Sequence, residues 1–221
     1  WALSTDVGPV IDPKAQKDIA GYIEANGNRV LHKLDVPDQG YFIPPTLLKV
    51  GGIADLEREI FGPVLHVATF RGDDLDQVVA DINARGFGLT FGLHTRIDSR
   101  VQEVSDAIHV GNIYVNRNQI GAVVGSQPFG GEGLSGTGPK AGGPLYLARF
   151  YAPEAVAAGT EWAGQADSRV LAKAATGFSE TPVSERIMPG PTGELNRLTI
   201  LPRSAVLCLG PGAETVKAQV A

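Results

Sequence analysis

Three times in its first 116 residues the chain places an aspartate before an amphipathic run and a glycine after it. Asp12-Pro13 precedes Ala15, Ile19, Tyr22 and Ile23, with Gly27 beyond. Asp73-Asp74 precedes Leu75, Val78, Val79 and Ile82, with Gly86 beyond. Asp98 precedes Val101, Val104 and Ile108, with Gly111 beyond. Aspartate caps a helix, proline suits its first turn, glycine ends it, and the apolar spacing puts one buried stripe on each. The stretches around them are extended: residues 30–34, a proline-broken run at 40–50, PVLHVATF at 63–70, 89–95 and 112–116. Alternating strand and helix predicts an α/β fold, a mostly parallel sheet with flanking helices.

A chain of 221 residues that is 43% hydrophobic can bury a core of this kind. A net charge of −5 argues against nucleic acid or an anionic membrane as partner. No apolar run reaches the roughly 18 residues of a membrane span. The single cysteine, Cys208, lies in an apolar run, AVLCLG, and is expected to be an inert buried thiol in a reducing compartment. His32, His66, His94 and His109 are scattered without the spacing of a metal site, so no metal is expected. The chain opens at Trp1 and its only methionine is Met188, which suggests a piece of a longer protein.

Residues 117–144 break the alternation with a glycine-rich stretch. An irregular run of that length within a domain is usually functional, and its apolar residues argue for an ordered loop. LYLARFY at 145–151 then reads as an aromatic-rich strand. From 154 to 195 the chain reads as a connector with one helix near 168–175. Residues 196–221 read as strand (205–209), turn (Gly210-Pro211-Gly212) and helix, a single βα unit that cannot bury its faces alone. The expected organisation is 1–152, 153–195 as linker, and 196–221 as the start of a C-terminal α/β domain.

Two segments carry candidate chemistry. EIFGPVL at 59–65 sets a carboxylate, Glu59, and a ring, Phe61, at a strand entrance. A carboxylate there can accept hydrogen bonds from ribose hydroxyls, and a ring can pack beside a flat heterocycle. Read alone, a charged turn before a strand is the commoner account. In the glycine-rich stretch, the backbone N–H groups of Gly121-Ala122 could bind a carboxylate, with Gln127-Pro128-Phe129-Gly130-Gly131 following. Read alone, this too can be a structural loop.

Taken together, six stretches in order resemble the NAD(P)-dependent aldehyde dehydrogenases. They are Gly8-Pro9 in DVGPVID, GYFIPPTLL at 40–48, EIFGPVL at 59–65, GFGLTFGLHTR at 86–96, GNIYVNRN at 111–118 and QPFGGEGLSGTG at 127–138. Within the family, GAVVGSQPFGGEGLSGTGPKAGGP is most similar to the L-glutamate γ-semialdehyde dehydrogenase half of the bifunctional proline-utilization enzymes.

The resemblance implies a role for each matching residue. Glu59 would contact the nicotinamide ribose of NAD, and Phe61 would pack near the nicotinamide. Gly121 and Ala122 would hold the substrate carboxylate, and Phe129 would line the aliphatic part of L-glutamate γ-semialdehyde. Asn116 matches a structural asparagine. The 145–151 strand would mediate self-association. The family's nucleophilic cysteine, general-base glutamate and cofactor-binding turn lie before Gly8-Pro9, so these residues alone are expected to be inactive. The resemblance further implies a proline dehydrogenase with FAD upstream, and a cytoplasmic enzyme that can lie at the inner membrane. The competing expectations are an assembly module without catalysis, favoured for 196–221, and a dehydrogenase for another aldehyde.

Overall fold

The computed structural model describes residues 5–119, 121–136, 138–151, 169 and 181–202. They divide into two compact units. The first is formed by residues up to 117 with 131–136, and the second by 118–130 and the residues from 138 on.

In the first unit, α1 (Pro13–Ala25) starts as its sequence dictates. The Asp12 carboxylate accepts a 2.7 Å hydrogen bond from Ala15 N, and Pro13 occupies the first turn, where no N–H is needed. Strands β1 (Val30–Lys33), β2 (Thr46–Lys49) and β3 (Val64–Val67) form one sheet in that order. β1 runs antiparallel to β2, while β2 and β3 pair in parallel from Thr46↔Val64 to Lys49↔Val67. Leu48, at the centre of the middle strand, is fully buried. Ile19 and Ile23 of α1 pack with Ile43, against Val10, Val30, Ile60 and Val64.

The same unit holds a second core. Helix α2 (Leu75–Ala84) leads to β4 (Phe87–Gly88) and β5 (Thr90–Leu93). Helix α3 (Asp98–Ala107) then crosses to β6 (Asn112–Val115), which pairs in parallel with β5. Val79, Val104, Ile108 and Val110 are buried here, with Leu75, Ile82, Phe91, Leu93 and Ile113 against them. Each such aliphatic side chain contributes about 1.5–3 kcal/mol on burial. The expected stripes of α2 and α3 are therefore the faces that make this core. The α/β class holds, and β5–α3–β6 is a complete βαβ unit. The parallel pairings are β2–β3 and β5–β6, whereas β1–β2 and the short pairing of β4 with β7 (Glu132–Gly133) are antiparallel. No helix separates β1 from β2, so that connection reverses the chain instead of crossing over.

Two capping expectations differ. Asp98 is the first helical residue of α3 and Ile97 is its cap, while Asp74 caps α2 without a side-chain hydrogen bond. Both carboxylates still lie where the helix dipole favours negative charge.

In the second unit, residues 145–151 are not a strand. Tyr146–Phe150 is a 3-10 helix, so the strand expected to mediate self-association is absent. Gly143 sets the turn by accepting from Tyr146 N at 3.2 Å. The rings of Tyr146 and Phe150 then meet edge-on, 5.8 Å apart, and the Arg149 guanidinium donates to the Gly138 carbonyl. Aromatic residues favour strands only where a neighbouring strand offers a surface to pack on. Strands β8 (Ser184–Met188) and β9 (Asn196–Ile200) form an antiparallel hairpin, paired from Ser184↔Ile200 to Met188↔Asn196. The expected connector thus contains a strand, and the boundary at 195/196 falls inside this hairpin. The expected helix at 168–175 lies, apart from residue 169, outside the described residues. The strand at 205–209 with Cys208, the turn at 210–212 and the helix after it lie wholly outside them.

Candidate functional site

Glu59 and Phe61 reach the surface because Ile60 between them turns inward. Ile60 packs on the α1 cluster, and the chain folds tightly after it: Gly62 N donates to Ile60 O at 3.0 Å and Val64 N to Gly62 O at 2.8 Å. Thr46 N donates to Pro63 O at 2.9 Å, which fixes the turn to the head of β2. A Cβ at Gly62 would stand 2.6 Å from Ile19 Cδ1, so the bare position lets the turn sit on α1 without moving the tip of the Ile19 side chain. The Phe61 ring is 83% exposed. The Glu59 carboxylate is exposed and has no hydrogen-bond or ion-pair partner among the described residues.

Two shallow grooves meet at this turn. One, of about 240 Å³, is lined by Asp12, Lys14, Asp18, Arg58, Glu59 and Phe61 among others. The other, of about 200 Å³, has Ile53, Leu56, Glu59, His66, Arg85 and Phe87 in its wall. Glu59 belongs to both. In the first, Lys14 and Asp18 form a 2.5 Å ion pair, which raises the lysine pKa and lowers that of the carboxyl. Behind the second, Tyr22 Oη lies 2.8 Å from His66 Nε2, and the Arg58 guanidinium stands 5.9 Å from the Tyr22 ring centre. Burial pushes the His66 pKa below its ordinary value, which favours the neutral imidazole. In that form one of the pair donates and the other accepts. The sequence alone assigned His66 no such partner. Tyr22 is 44 residues away, and only the docking of α1 on the sheet joins them.

The other expected residues belong to the second unit. Gly121 is exposed and Ala122 half-buried, and neither N–H has an acceptor among the described residues. The loop then closes on itself. Gln127 N donates to Val123 O at 2.8 Å, and Val123 N donates to Gln127 Oε1 at 3.1 Å. Phe129 is half-buried and exchanges two backbone hydrogen bonds with Ala141, at 3.0 and 2.8 Å. Asn116, in the first unit, has a structural part. It takes a φ of 56°, accepts from Thr95 N and donates to Thr95 O, both at 3.0 Å, and ties the end of β6 to the end of β5. The described residues contain no cluster of side chains able to hold a metal ion, and no helix long and apolar enough to cross a membrane.

One unit is an α/β scaffold with an exposed carboxylate and ring at a strand entrance, and the other carries a glycine-rich loop with two N–H groups that have no acceptor among the described residues. The chain belongs to the aldehyde dehydrogenase family, whose model matches residues 2–156. It is 42% identical to bifunctional protein PutA of Escherichia coli (strain K12), over 99% of this chain and 20% of that protein. A crystal structure of a Bradyrhizobium japonicum proline utilization A mutant superposes with a TM-score of 0.64 and 49% identity, over 66% of this chain and 15% of that one. A 1-pyrroline-5-carboxylate dehydrogenase from Thermus with bound NAD superposes with a TM-score of 0.60 and 36% identity, over 66% of this chain and 29% of that one. The chain thus spans about a fifth of the length of the PutA proteins it matches.

Proposed function

We propose that this chain is the cofactor-ribose and substrate-tail part of an NAD-dependent dehydrogenase that oxidises L-glutamate γ-semialdehyde to L-glutamate. The reaction converts RCHO, NAD⁺ and water into RCOO⁻, NADH and two protons. NAD, when bound, supplies the hydride acceptor. The residues present fit that group: Glu59 offers an unengaged carboxylate to a ribose diol, and Phe61 offers an open ring face. In this reading the nucleophile and general base are supplied by residues outside this chain. So is the proline dehydrogenase with FAD that the resemblance to PutA implies. The remaining expectation, a cytoplasmic enzyme able to lie at the inner membrane, belongs to the same reading.

The observation that carries the proposal is the pair of N–H groups at Gly121 and Ala122 that have no acceptor among the described residues, in a chain alike to PutA over nearly the whole of its own length. Two adjacent donors suit a carboxylate. Binding at the charged tail orients the aldehyde for attack, far from the reacting carbon. An assembly module would have no use for these donors or for Glu59. Self-association, if it runs through 145–151, would use the exposed Leu147, Phe150 and Tyr151 of a helical turn rather than an added strand.

The test is NADH formation by the intact gene product with glutamate γ-semialdehyde, against uncharged aldehydes of similar length. The proposal expects a preference of at least tenfold in kcat/KM for the carboxylate substrate, about 1.4 kcal/mol of tail binding. Equal turnover of both would refute it.

A further inference from the structure

The β8–β9 hairpin lies beyond the 2–156 stretch that defines the family, yet within the second unit it grips the loop carrying Gly121 and Ala122. Gln127 is buried, and each end of its amide is engaged. Nε2 donates to Glu194 Oε1 at 2.9 Å, with Asn196 Oδ1 at 3.4 Å. Oε1 accepts from Val123 N, the amide directly after Ala122. Asn196 Nδ2 donates to the same Glu194 oxygen at 3.0 Å and to Pro189 O at 3.2 Å. One carboxylate oxygen thus gathers two amides, and the Gln127 side chain passes that constraint to the loop backbone.

Among the described residues the loop has little else to hold it. Val123 and Val124 are 54% and 88% exposed, and Gly125 has a φ of 82°. Side chains standing in water cannot fix a backbone, so its order comes from hydrogen bonds. A pair of donors serves as a carboxylate site only when the pair keeps its aim before the ligand arrives.

We propose that Glu194 and Asn196 are positioning residues for the substrate-tail site, holding Gln127 and through it the Gly121-Ala122 donors. The inference rests on the reading of those donors given under Proposed function. Neither residue touches substrate. Both act through a buried amide whose loss of an acceptor would loosen the loop.

The experiment uses the intact enzyme with Glu194→Ala and Glu194→Gln. The glutamine keeps an oxygen able to accept from both amides. Glu194→Ala is expected to raise KM for glutamate γ-semialdehyde about tenfold, the value of one part-buried hydrogen bond to a charged group. It should leave kcat/KM for propanal within about twofold. Glu194→Gln should restore KM to near the parent value. An unchanged KM, an equal loss on both substrates, or failure of the glutamine to rescue would each overturn the proposal. Amide exchange in the unaltered enzyme provides a reading that needs no variant: Val123 N–H should exchange more slowly than Val124 N–H, and equal rates would refute the clamp. If the parent enzyme shows no preference for the carboxylate substrate, the donor assignment fails first, while Val123 protection still reports on the clamp by itself.

Discussion

Replacing Glu59 by alanine separates binding from folding more cleanly than any other change in the first unit. The carboxylate is exposed and bonded to nothing among the described residues, so its removal breaks no internal contact. The neighbouring Ile60 and Gly62, which seat the turn on α1, are untouched. A hydrogen bond from a hydroxyl to a carboxylate contributes about 1.5–3 kcal/mol. Glu59 stands at an open groove rather than in a closed pocket, so the lower end applies, about 1.5 kcal/mol or roughly tenfold in Kd. Titration of NAD into the intact enzyme by calorimetry should show that loss, with an unfolding midpoint within about a degree of the parent. Glu59→Gln, which keeps one acceptor oxygen, should fall between. Unchanged NAD affinity in Glu59→Ala would show that the ribose is held elsewhere. A large drop in the midpoint would show that Glu59 is a structural residue of the turn.

Three further outcomes follow from the packing and titration of the first unit. Gly133→Ala should destabilise by at least about 2 kcal/mol in urea unfolding, because Gly133 has a φ of 57° and a Cβ there would lie 2.5 Å from Gly86 O. Asp12→Ala should cost about 1 kcal/mol in the same measurement, through loss of the cap on Ala15 N. His66 has its folded pKa depressed by burial, so the unfolded chain binds the proton more readily. Stability should therefore be full above the unfolded pKa near 6.5 and decline as pH falls below it. His66→Gln should flatten that decline between pH 7.5 and 5.5, and an identical slope in parent and variant would refute the assignment.

The helices were the most legible part of the sequence, because their signals are local. Asp12 and Pro13 mark the start of α1 within one turn, and the stripes of α2 and α3 follow from 3.6-residue spacing. The segment at 145–151 misled because its aromatic residues favour a strand only if one lies alongside, and strand partners are not written in the segment itself. The β8–β9 hairpin was hidden for the opposite reason. Its loop, PGPTGEL, reads as a linker, yet the flanking residues pair from Ser184 to Ile200. Glu59, Phe61, Gly121, Ala122 and Phe129 are singled out by motif order alone, and the structure adds which of their polar groups have no partner among the described residues. Glu194 and Asn196 gave no sequence signal, since they lie 67 and 69 residues from Gln127 and meet it only in the folded unit.

The central claim is that Gly121 and Ala122 receive the tail of the substrate, and a crystal structure of the intact enzyme with its product L-glutamate tests it most directly. The account predicts a glutamate carboxylate within about 3 Å of both backbone nitrogens, the ordinary length of such a hydrogen bond. Glutamate bound with neither carboxylate near that loop would contradict it.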